Sequence, residues 1–225
     1  MKIIQSMSLF ALLSLLTATP LFAGMNYAIS LKMGDEYRGS GDFDLALEEY
    51  GTALTQASND TEKGLALAKK AIVYAYDKKD YVAAKNLAQQ TLDMGQLEAV
   101  ARVTALDALA QCQMKADQNY VAAAATLEEA TKLKGVDWAL PFLTLSLGDC
   151  YRFSGDFDKA VKVFESVTRL ESADDAIKGV AYLNIGQTEQ YSLQNSSAAK
   201  KAYKKAAEMN PGLQGEVDGH LSKLP

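Results

Sequence analysis

One duplication constrains this chain more than anything else in it. Residues 34–46 read G-D-E-Y-R-G-S-G-D-F-D-L-A, and residues 148–160 read G-D-C-Y-R-F-S-G-D-F-D-K-A. The copies lie 114 residues apart, which is three steps of 38. Such self-similarity at a multiple of a plausible repeat length marks an array of like structural units. Each unit of an array buries its apolar face against its neighbours, so the chain needs no single central core.

The second copy and its flanks show what the unit is. Thr144, Leu147, Gly148 and Tyr151 follow the i, i+3, i+4, i+7 spacing of one helix face. Ser154, Gly155 and Asp156 interrupt it; glycine ends a helix in the left-handed region and aspartate caps the next one. A second face follows at Phe157, Ala160, Phe164 and Val167. The unit is therefore helix, tight turn, helix. Gly148 and Ala160 let the two helices approach closely, and aromatic side chains fill the space beside them.

The pattern G-x-x-Y-x-x-x-G-D-F-x-x-A-x-x-x-F resembles the tetratricopeptide repeat (TPR), whose helix pairs stack into a right-handed superhelix. The first copy matches through Gly34, Tyr37, Gly41, Asp42, Phe43, Ala46, Tyr50 and Ala53. The second matches through Gly148, Tyr151, Gly155, Asp156, Phe157, Ala160 and Phe164. A closing unit matches through Gly186, Ala199, Tyr203, Ala206 and Pro211, with an inter-helix loop one residue longer. Two weaker units fill the gap, around Ala71–Thr91 and Leu106–Ala130. The aromatics that open the second helices (Phe43, Tyr81, Tyr120, Phe157) step by 38, 39 and 37 residues. The expected fold is all-α: an α-solenoid of about five TPR-like helix pairs spanning residues 24–211. Leu213, Val217, Leu221 and Leu224 predict a short C-terminal capping helix within 212–225.

Residues 1–23 stand apart from the array. Met1-Lys2 precedes an apolar run over residues 3–16, Pro20 breaks the pattern, and Ala23 offers a small residue for cleavage. That is the pattern of a secretory signal peptide. The run is short of the ~20 residues that span a bilayer. The expectation is an exported protein, periplasmic or secreted, with no integral membrane segment once the signal is removed.

Catalytic chemistry finds no foothold in the sequence. His220 is the only histidine, which rules out a two-histidine metal site; it is expected to face solvent in the cap. The carboxylate pairs Glu48-Glu49, Glu128-Glu129 and Asp174-Asp175 read as solvated or dipole-matched helix positions. No carboxyl group is expected to titrate high. The expectation is no enzyme, no cofactor and no metal. The net charge of −5, with no basic stripe, argues against nucleic acid as a partner. Cys112 and Cys150 lie 38 residues apart, one repeat step. A disulfide is chemically open to an exported chain, but packed helix axes about 8–10 Å apart favour buried thiols. The sequons at Asn59 and Asn195 carry little weight in so polar a chain.

The resemblance also implies a binding face. In the family, first helices line a concave groove that takes a protein or peptide. Carried over by position, the groove residues are Leu31, Asp35 and Arg38; Lys69, Val73 and Tyr76; Leu145, Asp149 and Arg152; and Leu183, Gln187 and Gln190. The third unit is too degenerate to place. Leu31 and Asp35 stand where the family's lysine and asparagine clamp for an acidic peptide C-terminus would be, which disfavours that ligand. Asp-x-x-Arg recurs at Asp35/Arg38 and Asp149/Arg152, either as groove contacts or as i, i+3 ion pairs on an exposed helix. Trp138 and Phe142 are further contact candidates. The implied role is a non-catalytic scaffold or adaptor in the cell envelope; the alternative is a structural solenoid that associates through its ends or outer face.

Overall fold

The computed structural model describes residues 20–225, with side chains from residue 24. The expected signal segment lies outside them, apart from residues 20–23, which open the first helix. Among the described residues there are eleven α-helices and no strand. In order they are α1 (Pro20–Ser40), α2 (Phe43–Gln56), α3 (Asp60–Ile72), α4 (Tyr81–Leu92), α5 (Ala99–Lys115) and α6 (Tyr120–Ala130). Then come α7 (Leu140–Ser154), α8 (Phe157–Thr168), α9 (Asp175–Tyr191), α10 (Ser196–Met209) and α11 (Gln214–Leu221). The chain divides into two compact units, one ending at Ala108 and the other beginning at Leu109.

The turn inside each hairpin follows one recipe. The residue before the second helix's cap takes a left-handed backbone: Gly41 at φ 90°, Lys79 at 57°, Gln118 at 49°, Gly155 at 89° and Gln194 at 54°. Aspartate or asparagine follows. The side chains of Asp80, Asn119, Asp156 and Asn195 each accept from the backbone N–H three residues on. In the shorter turns the cap N–H donates five residues back, Asp42 to Tyr37 and Asp156 to Tyr151. In the third and fifth hairpins it donates six back, Asn119 to Gln113 and Asn195 to Glu189. The extra residue expected in the last loop is there, and the third hairpin shares it. Both sequon asparagines are caps: Asn59 Oδ1 takes the Glu62 N–H, and Asn195 Oδ1 takes that of Ala198.

Each hairpin closes by matching a small residue to a large one. Tyr50, Phe164 and Tyr203 are fully buried, and their rings lie on Gly34, Gly148 and Gly186. A Cβ on Gly34 or Gly186 would come within 2.5 Å of the facing tyrosine ring, and one on Gly148 would strike Phe164. One step of 38 on from Gly34 and Tyr50, the sizes are exchanged: the register positions are held by Ile72 and Ala88, both buried.

In the first unit α1 and α2 pair, and α3 pairs with α4. The last turn of the third helix widens into a π-helix over Val73–Lys78. In the second unit α7 and α8 pair, as do α9 and α10. The expected cap is present: α11 seats Val217 in a cluster with Leu183, Ala199, Tyr203 and Ala206, while Leu213, Leu221 and Leu224 pack around it. Cys112 and Cys150 are both buried and no disulfide joins them; burial pushes the Cys150 thiol up to about 12.

Candidate functional site

In the first unit two of the expected groove positions, Asp35 and Lys69, bind each other, and two others, Arg38 and Tyr76, bind acids outside the expected set. Asp35 on α1 takes Lys69 Nζ of α3 at 2.7 and 2.9 Å, and accepts from the Tyr50 hydroxyl at 2.5 Å. Arg38 Nε donates to Asp77 at 2.6 Å. The Asp35/Arg38 ion pair considered from sequence is therefore not formed. Both charges reach along the array instead, because an acidic or basic partner stands one hairpin away on the same face. The π-turn carries Tyr76 and Asp77. From there Asp77 meets Arg38, and the Tyr76 hydroxyl donates to Asp107 at 2.7 Å.

Asp107 corrects the expectation that no carboxyl group titrates high. Loss of water around it raises its pKa to about 6, against the lowering effects of the Tyr76 bond and of Arg38. Two more carboxyl groups are raised, Asp149 and Glu189, both chiefly by burial. Asp107 was legible. Stepping 38 back from Gly148 reaches Ala110, and the groove offsets from Ala110 fall on Asp107, Gln111 and Met114.

In the second unit the same face is arranged differently. Asp149 and Arg152 do pair within α7, at 2.6 Å. Arg152 Nη1 also donates to Gln187 Oε1 on α9 at 2.9 Å. An arginine has donors only, so this bond orients the Gln187 amide and turns its nitrogen toward α11. Gln187 Nε2 then lies 3.2 Å from His220 Nε2, and the imidazole Nδ1 lies 2.9 Å from the Tyr191 hydroxyl. Glu216 Oε1 stands 3.6 Å from the same His220 Nε2. Its ring stacks on Tyr203 with centroids 5.0 Å apart and planes 3° from parallel. Gln190, the last expected groove residue, accepts from the Tyr203 hydroxyl at 2.6 Å.

The histidine is therefore not the solvent-facing residue expected from sequence; its side chain is 15% exposed. The signal was in the spacing. His220 lies three residues after Val217, so the face that docks the cap carries the ring inward.

Beside this chain of bonds lies a cavity of about 340 Å³. Arg152, Gln187 and His220 form its polar side, and Phe153, Phe157 and Tyr191 supply rings, with Ser192 at the end of α9. Phe153 and Tyr191 are more than half exposed. The Arg152 guanidinium lies 5.0 Å from the Phe153 ring centre, and its Nε is buried without a hydrogen-bond partner. Trp138 and Phe142 are also exposed, at 58% and 57%, but neither lines this cavity. Among the described residues no group of three or more His, Cys, Asp or Glu is placed to hold a metal ion. No described helix is long and apolar enough to cross a membrane.

Comparison with known proteins agrees with the helical-repeat fold. Models of the tetratricopeptide repeat match residues 143–176 and 179–213, the fourth and fifth hairpins. The chain therefore carries tetratricopeptide repeats, and its fold is that of the TPR helical solenoids. It is similar to YrrB, described as a TPR protein with an unusual peptide-binding site, at a TM-score of 0.60 and 22% identity over 87% of this chain and 91% of that one. It is similar to the MamA protein at a TM-score of 0.59 and 24% identity, covering 85% and 96% of the two chains. The third is TTC0263, a thermophilic TPR protein of Thermus thermophilus, at 0.62 and 19%, covering 87% and 98%. At these identities the likeness is one of fold. No curated protein matches the sequence.

Proposed function

We propose that this chain is an exported, non-catalytic scaffold of the cell envelope that holds an extended peptide or protein segment. The segment lies on the face made by α7, α9 and α11. The observation that carries this reading is the ring-walled cavity on that face, with Arg152, Gln187 and His220 along one side. Concave sites with apolar walls and a few placed polar groups are where ligands bind. The TPR precedent of YrrB, whose description includes a peptide-binding site, supports the same reading. Export rests on residues 1–23, and a mature N-terminus at Gly24 in protein recovered from the envelope fraction is the result it requires.

Selection of a random-peptide phage library on the immobilised chain tests the binding face. Recovered peptides are expected to weaken on Tyr191→Ala and to bind Val121→Ser unchanged, since Val121 is exposed on α6. The reverse order refutes the reading. One observation favours the structural alternative for the first unit: its groove charges are already consumed in Asp35–Lys69 and Arg38–Asp77. There the polar face braces successive hairpins.

A further inference from the structure

The cavity beside His220 has a size, a wall chemistry and a charge pattern that together restrict what can enter it. At about 340 Å³ it falls at the small end of ligand pockets, which run from roughly 300 to 1,000 Å³. That is room for one large side chain with its flanking peptide groups. The walls are rings: Phe153, Phe157 and Tyr191. Rings accept other rings edge-on or offset, and aromatic residues dominate binding hot spots.

Charge offers little hold to an ionic side chain. Arg152 is already paired with Asp149 at 2.6 Å, so an incoming carboxylate finds no unpaired cation in the lining. No acid is among the lining residues, and the Arg152 guanidinium lies over the Phe153 face, so an incoming cation finds no counter-charge on the walls. What remains open is hydrogen-bond donation. Of the five guanidinium N–H groups, one on Nη2 serves Asp149 and one on Nη1 serves Gln187; the Nε hydrogen is buried, so the donors left for a ligand are the second hydrogens of Nη1 and Nη2.

We propose that this cavity is a side-chain pocket for a single neutral aromatic residue of the bound peptide, whose adjoining carbonyl accepts from the spare Arg152 donors. This rests on the peptide-binding reading above and adds a specificity to it. Phe153 and Tyr191, both exposed at the rim, determine that specificity. Ser192 lines the cavity at the end of α9, so a large side chain there is expected to narrow it.

The test is a titration of the ¹⁵N-labelled full chain with blocked single residues: N-acetyl amides of tryptophan, phenylalanine, alanine, glutamate and lysine. The aromatic probes are expected to shift the resonances of Phe153, Ser192 and the Gln187 side-chain amide, and the other three to leave them in place. Phe153→Ala removes one ring wall at an exposed position and is expected to weaken the aromatic probes about three- to tenfold. Ser192→Trp is expected to narrow the cavity and to abolish their effect. Equal shifts from all five probes, shifts elsewhere, or none at all overturn the proposal. If these results come while library peptides still depend on Tyr191, the groove reading stands and only the aromatic pocket falls. If the library yields no peptide, the groove reading itself has failed.

Discussion

Exchanging the sizes of Gly148 and Phe164 tests how the hairpins are held together. In the fourth hairpin a glycine faces a fully buried phenylalanine. Two steps of 38 earlier the same register positions hold Ile72 and Ala88. Phe164→Ala alone leaves a ring-sized void and is expected to cost about 3–5 kcal/mol. Gly148→Leu alone drives a side chain into the Phe164 ring and is expected to cost about 1–3 kcal/mol, after a helix-propensity gain of up to ~1 kcal/mol. The double variant puts the leucine into the space the ring vacates. It is expected to recover about 2 kcal/mol relative to the sum of the singles. For a chain of this size that is about 4–8 °C in Tm, read by circular dichroism at 222 nm. Strict additivity of the two changes would refute the claim that size complementarity at this contact closes the hairpin.

Three further outcomes follow from the same geometry. The Asp107 carboxyl is pushed up to about 6 from 3.8, so the folded chain holds a proton there that the unfolded chain releases. Its contribution to stability is full below about pH 4, is lost as pH rises through 6, and amounts to about 3 kcal/mol. Asp107→Asn keeps an acceptor for Tyr76 and is expected to be more stable than the parent at pH 7 but not at pH 4, by urea midpoints; a gap independent of pH contradicts this. Gln194 holds a left-handed backbone at φ 54° where Gly41 and Gly155 stand in other hairpins. Gln194→Gly is expected to raise stability by up to about 1 kcal/mol, and a lowered urea midpoint contradicts it. With Cys112 and Cys150 buried and the Cys150 thiol raised to about 12, a thiol-reactive dye is expected to label neither until urea unfolds the chain. Rapid labelling of Cys150 in native buffer contradicts that.

The hairpins were legible because their signals are local. A left-handed residue, an Asp or Asn cap and an aromatic fall within a few positions of one another, and they place the turns at Gly41, Lys79 and Gly155. The short cap was legible from Leu213, Val217 and Leu221 for the same reason. The polar side chains were not, because their partners lie one hairpin away. The periodicity shows that Asp35 and Arg38 share a face; it cannot show that Lys69 and Asp77 reach them before they reach each other. That depends on how far α3 slides past α1, which the inter-hairpin loop sets. The π-turn at Val73–Lys78, which delivers Tyr76 to Asp107, left no mark in the pattern. His220 was misread by residue type, although its spacing from Val217 placed it on the buried side of the cap. The second-unit cavity needed α9 and α11 side by side before Tyr191 and His220 could be seen to share it.

A two-dimensional ¹H–¹⁵N footprint of a library-selected peptide on the labelled chain tests the binding face most directly. The account predicts perturbed amides clustered at residues 152–157, 187–192 and 220. Perturbations confined to the exposed positions of second helices, such as Val82 on α4 and Val121 on α6, would contradict it.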